Sequence, residues 1–237
     1  MKMLLKVKEI NSYYGDSHVL HDVSLEVEKG QIISILGRNG VGKSTTLKSI
    51  IGIVSPRSGS ILFKNEELVG KAPFRIARRG LGYVPEERRI FPGLTVRENL
   101  IMGIKTVQTK GDSGAWTIER VYSEFSIGER DKTLGANLSG GEQQMLTIAR
   151  TLLGNPELIL IDEPSEGLSP LVAKHIFAII QEVNKEGISM ILVDQNLYFA
   201  CSVAQRVYIM SKGNIVYSGA GKEVIENSDI QAKYLAV

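Results

Sequence analysis

An α/β fold, built on a mostly parallel sheet with an antiparallel β edge, is predicted by three features of the chain. The runs "IISILG" (32–37), "LILID" (158–162) and "MILVD" (190–194) are near-continuously apolar, the pattern of parallel strands covered on both faces. Helical stretches such as "KSTTLKSIIGI" and "LVAKHIFAIIQEVNKEG" lie between them. The first thirty residues alternate instead. "DVSLEVEKG" sets Val23, Leu25 and Val27 against Ser24, Glu26 and Glu28 before a turn at Lys29-Gly30, as a half-buried antiparallel strand would.

Residues from about 88 to 137 interrupt this rhythm. "TVRENLIMGIK" and "TIERVYSEF" read as helices, with a polar, glycine-containing loop "QTKGDSGA" between them. With the segment that follows, this predicts a helical subdomain over about 88–150, inserted in the core of a single domain spanning 1–237. The tail resumes short strands, "RVYIM" and "NIVYSG", around a turn at Lys212-Gly213-Asn214. Neither repeats nor low-complexity segments occur.

Composition narrows the class. The chain has 237 residues, 43% hydrophobic and 23% charged, the profile of a globular domain. A net charge of +2 implies no strong pull toward nucleic acid. One cysteine, Cys201, excludes an internal disulfide and a cysteine-rich metal site. His18, His21 and His175 are scattered and are assigned no role. No apolar run reaches the roughly 18–20 residues that span a bilayer. The start, "MKMLLKVKEI", lacks a signal-peptide core. A cytoplasmic protein is expected, acting on a membrane only through a partner.

Gly37-Arg38-Asn39-Gly40-Val41-Gly42-Lys43-Ser44 matches the phosphate-binding pattern G-x-x-x-x-G-K-[ST], and it follows a buried strand and opens a helix. Glycines let backbone N–H groups curl around phosphates, and the helix N-terminus adds a favourable field. Lys43 is expected on the β- and γ-phosphates, Ser44 on Mg²⁺ and Thr45 near the α-phosphate. "LILIDE" supplies a second metal anchor, Asp162 at a strand tip, directly or through water. Glu163 follows, placed to orient a water and accept its proton. "NKEG" (184–187) resembles the guanine-reading N-K-x-D, but Gly187 stands where the aspartate is needed, so guanine specificity is unsupported.

"LSGGEQQ" (138–144) is the most specific signal. Ser139 and Glu142 form a capping box, which alone does not explain two adjacent glycines. Gly140 and Gly141 strip the helix tip of side chains and leave its N–H groups exposed. That is a second phosphate-binding surface in one chain. Two chains facing head to tail could each offer one surface to each of two ATP molecules.

On these motifs the chain resembles the nucleotide-binding subunits of ABC transporters, with "LSGGEQQ" as signature and "GRNGVGKS" and "LILIDE" as Walker A and B. The resemblance runs over essentially the whole length. It implies the ABC ATPase fold and an ATP-sandwich dimer that closes on ATP and opens after hydrolysis to ADP, driving paired membrane subunits. Tyr14, in "YYG", matches the aromatic that stacks on adenine. Three positions depart from the family. Glu86, in "VPEERRIFPGLTVREN", replaces a glutamine that binds metal and water and senses the membrane subunit; its carboxylate still suits Mg²⁺. Ser169 replaces the aspartate of the loop after Walker B, and Gln195, in "VDQN", replaces the switch histidine. An amide there donates a hydrogen bond but carries no proton, so any base role falls to Glu163.

"VPEERRIF", "DEPSEGLSP" and "VDQN" together resemble the ATP-binding subunits of high-affinity branched-chain amino acid importers, in particular the subunit that pairs with a different ATPase. Urea and short-chain amide importers have similar subunits. The implied partners are a second ATPase subunit or a second copy, two transmembrane permeases and an extracytoplasmic binding protein. The groove near Glu86 to Phe91 is the expected docking site for a permease helix. Two other readings are an exporter subunit for lipid or lipopolysaccharide, against which the switch glutamine argues mildly, and a soluble ATPase acting on nucleic acid or ribosomes. The single cassette, short insert and near-zero charge argue against the latter.

Overall fold

The computed structural model describes residues 2–105 and 115–235. Two strands open the chain, β1 (Met3–Tyr14) and β2 (Ser17–Glu28), paired antiparallel. The next strand, β3 (Ile32–Leu36), joins a different sheet. β4 (Ser58–Phe63) and the short β5 (Glu66–Glu67) complete a four-stranded sheet in the order β2-β1-β4-β5. Sequence reading did not single out these last two strands. β4 begins in Ser-Gly-Ser and has too few alternating positions to stand out.

The larger sheet adds β6 (Leu81–Val84), β7 (Leu158–Asp162), β8 (Ser189–Val193), β9 (Arg206–Ser211) and β10 (Asn214–Gly219), in the order β10-β9-β3-β8-β7-β6. Pairings from β9 through β3, β8 and β7 to β6 are parallel, and β10 closes one edge antiparallel. The continuous apolar runs have a direct cause, since both faces are covered. Ile33, Ile35, Leu160, Ile191 and Val193 face the small sheet together with Leu47 and Ile50 of α1 (Lys43–Ile50). Ile32, Leu36, Ile159, Ile161, Met190 and Leu192 face a core on the other side.

That second core is helical. After α2 (Pro73–Arg78), the segment between β6 and β7 carries α3 (Val96–Ile101), α4 (Ile118–Glu124) and α5 (Gly140–Leu152). α3 is shorter than the run 95–105 read from sequence. Thr95 and Glu98 cap it reciprocally, and Asn99 bonds the backbone of Phe91, Leu94 and Thr95, fixing the preceding loop. Val96, Leu100, Trp116, Val121 and Phe125 join one core with Leu146, Ala149 and Leu152 of α5. α6 (Pro170–Lys185) and α7 (Leu197–Val203) cover the same face, and α8 (Gly221–Glu226) packs near α7. The loop "QTKGDSGA" lies, except for Ala115, outside the described residues.

The small sheet is pinned by one carboxylate. Glu67 accepts from the backbone N–H groups of Ile61, Leu68 and Val69 and from the Ser60 hydroxyl. Burial pushes its acidity constant up, but these four donors outweigh burial and hold it below the ordinary 4.5. A lowered folded value means the stabilisation is fully present above about 4.5 and fades as pH falls through the folded value. Glu67→Ala should destabilise the protein by about 1 kcal/mol at pH 7. In thermal melts, the gap between wild type and Glu67→Gln should narrow below pH 4.5; a gap independent of pH would contradict this reading.

Candidate functional site

The carboxyl ends of β3, β7 and β8 meet at one edge of the sheet, and the loops leaving them build a cavity of about 290 Å³. Residues 37–42 leave β3 and turn into α1. Gly37 passes so close to the next strand that a Cβ would lie 2.4 Å from the Met210 carbonyl oxygen, and Gly42 holds φ at 111°. Only glycine meets both demands. Asn39, Gly40, Gly42, Lys43, Ser44 and Thr45 line the cavity, whereas Gly37, Arg38 and Val41 shape the loop from outside it. Lys43 is buried, and its Nζ donates to the carbonyls of Gly37 (2.9 Å) and Arg38 (3.1 Å).

From β7 come Asp162, fully buried, and Glu163, 8% exposed. Glu163 adopts a left-handed backbone, φ 45°, and its N–H bonds the Val193 carbonyl of β8. That strained conformation, unusual for a non-glycine residue, aims its side chain into the cavity. Its Oε1 lies 3.4 Å from Lys43 Nζ, and its Oε2 accepts from Gln195 Nε2 at 2.6 Å. The Ser44 hydroxyl donates to Asp162 Oδ1 at 2.8 Å, and the Tyr83 hydroxyl donates to Oδ2 at 3.2 Å. Burial pushes the Asp162 carboxyl above its usual range, opposed by those two donors. The same burial and the negative Asp162 push the Tyr83 phenol up, so it remains a donor at any ordinary pH.

The loops after β7 and β8 are tied together. Ser165 Oγ donates to both Asp194 oxygens, at 3.0 and 2.9 Å, and the Asn196 N–H bonds Asp194 Oδ1. Asn196 in turn caps α7. Glu86, beyond β6, lines the cavity with Glu163 and Gln195. Two lining residues escaped the sequence reading, Val19 and Glu166. Glu166 stands four residues past Asp162, a spacing that could have flagged it. Burial, then the Glu163 and Glu86 carboxylates, push it up to about 7. Tyr14 ends β1, 48% exposed, and is not part of the cavity wall.

The signature residues stand apart from this cavity. Ser139 caps α5, its backbone N–H bonding Glu142 Oε2 and its hydroxyl accepting from the Glu142 N–H, while Arg130 holds Glu142 Oε1. None of Ser139, Gly140, Gly141 or Glu142 lines the wall around Lys43. Gly141 has a reason beyond an open tip: a Cβ would sit 2.6 Å from Val172 Cγ1 on α6. Ser169 caps α6 by accepting from the Val172 N–H at 3.5 Å. A groove of about 480 Å³ opens elsewhere, between α2, β6 and α5, with Phe74, Phe91 and Met102 exposed in it beside Arg89, Lys105 and Arg150.

A phosphate-binding loop, strand-tip carboxylates on the same sheet edge and a capped Ser-Gly-Gly helix tip define a nucleotide-binding cassette of the P-loop class. The ABC transporter family profile matches residues 20–166, and the chain belongs to that family as an ATP-hydrolysing, nucleotide-binding subunit. It is 41% identical to the high-affinity branched-chain amino acid transport ATP-binding protein BraG of Pseudomonas aeruginosa, over 98% of this chain and 99% of BraG. It is 34% identical to the lipopolysaccharide export system ATP-binding protein LptB of Escherichia coli K12, over 98% and 96%. Among solved structures, a nucleotide-free cassette from an ABC transporter superimposes with a TM-score of 0.82 at 26% identity, covering 96% of this chain and 97% of that one. The ADP conformation of another such cassette gives 0.82 at 25%, covering 97% of both.

The close fit of α5 on α6 gives a direct test. Gly141→Ala should lower stability by about 1–3 kcal/mol through overpacking against Val172. Adding Val172→Ala, which removes the clashing methyl, should recover most of the loss in denaturant unfolding. An unchanged loss in the double variant would place the strain elsewhere.

Proposed function

We propose that this chain is the ATPase subunit of an importer for branched-chain or closely related amino acids. The observation that carries the cargo class is the near full-length likeness to BraG, stronger than that to LptB. An exporter is the second reading, favoured by the LptB likeness alone. Among the described residues no helix is long and apolar enough to cross a membrane. In this reading the chain acts at the inner face of the membrane through partners. Those are two permeases, fed by an extracytoplasmic binding protein, and a second ATPase chain. The groove beside Phe91 receives a permease helix, and the segment 88–150 is the helical subdomain that carries this contact and the signature.

The site residues take the following roles in this reading. The amides of Gly37 to Thr45 and the Lys43 ammonium hold the ATP phosphates. Tyr14 stacks on adenine. The Ser139 tip, with Gly140, Gly141 and Glu142, meets the ATP of the facing chain; its absence from the Lys43 cavity supports that division of labour. The oxygen-only set of Ser44, Asp162 and Glu86 fits Mg²⁺. Among the described residues no three acidic, His or Cys side chains could hold a metal unaided. These three would therefore share the cation with phosphate and water oxygens. A Mg²⁺ held there would neutralise phosphate charge. Glu163 orients water and takes its proton, held in place by Gln195 at 2.6 Å.

Glu163→Gln should retain ATP binding and lose turnover by roughly 10²-fold or more; near-normal turnover would remove Glu163 from its role. Alone, the chain should show weak ATPase activity, and mixing it with a partner ATPase should raise activity above the sum of the two. Full activity of the isolated chain would defeat obligate pairing with a different subunit. For the cargo, proteoliposomes holding the permeases, both ATPases and binding protein should take up leucine only with ATP inside. ATP-driven release of lipopolysaccharide without leucine uptake would favour the exporter.

A further inference from the structure

Asp162 is fully buried, and each of its oxygens accepts one side-chain hydrogen bond: Oδ1 from Ser44 at 2.8 Å and Oδ2 from Tyr83 at 3.2 Å. The two donors are not equivalent. Ser44 belongs to the phosphate loop, and a cation engaging its oxygen redirects the hydroxyl proton away from Asp162. Tyr83 lies on β6, and the β6–β7 pairing aligns it with Leu160, two residues before Asp162 on the neighbouring strand. Its hydroxyl reaches the buried carboxylate while its ring forms part of the groove wall beside Phe74 and Phe91. The two donors thus hold different oxygens, Tyr83 on Oδ2 and Ser44 on Oδ1, and the Tyr83 bond does not depend on the phosphate loop.

We propose that Tyr83 is a positioning residue for the metal-binding carboxylate, fixing the rotation of Asp162 so that Oδ1 meets the cation bound with the nucleotide. This rests on the reading of Asp162 as a metal ligand. Partners that orient ligating carboxylates typically change metal affinity or activity by about 10-fold to 100-fold when removed.

Tyr83→Phe keeps the ring in the groove wall and removes only the hydroxyl. Equilibrium ATP binding, with and without Mg²⁺, and turnover across a Mg²⁺ titration should be measured for wild type, Tyr83→Phe and Asp162→Asn. The expected result for Tyr83→Phe is unchanged ATP binding without Mg²⁺, about a tenfold rise in the Mg²⁺ concentration for half-maximal binding and turnover, and a much smaller change in kcat at saturating Mg²⁺. Loss of metal-free ATP binding would mark Tyr83 as structural and overturn the proposal. Wild-type Mg²⁺ curves for Tyr83→Phe, with Asp162→Asn shifted, would overturn the role of Tyr83 and leave Asp162 in place. Unshifted curves for Asp162→Asn would overturn both.

Discussion

A buried lysine and a buried glutamate face each other across the carboxyl edge of the sheet, and the site is organised around that pair. Lys43 and Glu163 are 3% and 8% exposed, 3.4 Å apart. Two charges taken from water are tolerated only when their remaining hydrogen-bonding capacity is met. Here the Gly37 and Arg38 carbonyls complete the ammonium and the Gln195 amide completes the carboxylate. The pair therefore needs the phosphate loop, the β7 tip and the loop after β8 at once. The strand order, with β8 between β3 and β7, brings those three loops to one edge.

Gln195 fits this arrangement. An amide that donates to Glu163 at 2.6 Å holds the carboxylate without adding a charge next to Lys43. An imidazolium in its place would bring a second cation to the same carboxylate and change the balance that keeps Lys43 paired. In the proposed mechanism this position acts by placement and electrostatics. In the same mechanism proton acceptance falls to Glu163, whose carboxylate the strained backbone aims into the cavity.

Much of this was legible before any coordinates. The apolar runs at 32–37, 158–162 and 190–194 read as strands of a parallel sheet, and they are continuous because both faces of that sheet are buried. The phosphate loop and the Ser139–Glu142 capping box are local patterns whose geometry follows from spacing. Contacts between distant segments were not legible. Tyr83 reaches Asp162 across 79 residues of sequence, and no periodicity announces that bond. Gly141 read as an open helix tip, whereas its neighbour Val172 belongs to the separate helix α6, which begins at Pro170. The order β9-β3-β8 arises from tertiary pairing, which hydropathy along the chain does not encode.

In the proposed mechanism the Lys43–Glu163 and Ser44–Asp162 contacts hold the place that phosphate and cation take. A crystal structure of the chain with Mg²⁺ and a non-hydrolysable ATP analogue tests it most directly. Lys43 Nζ should leave Glu163 for a phosphate oxygen, Ser44 Oγ should turn from Asp162 to the cation, and Glu163 should stay bonded to Gln195. A bound analogue with Lys43 still paired to Glu163 and Ser44 still donating to Asp162 would contradict it.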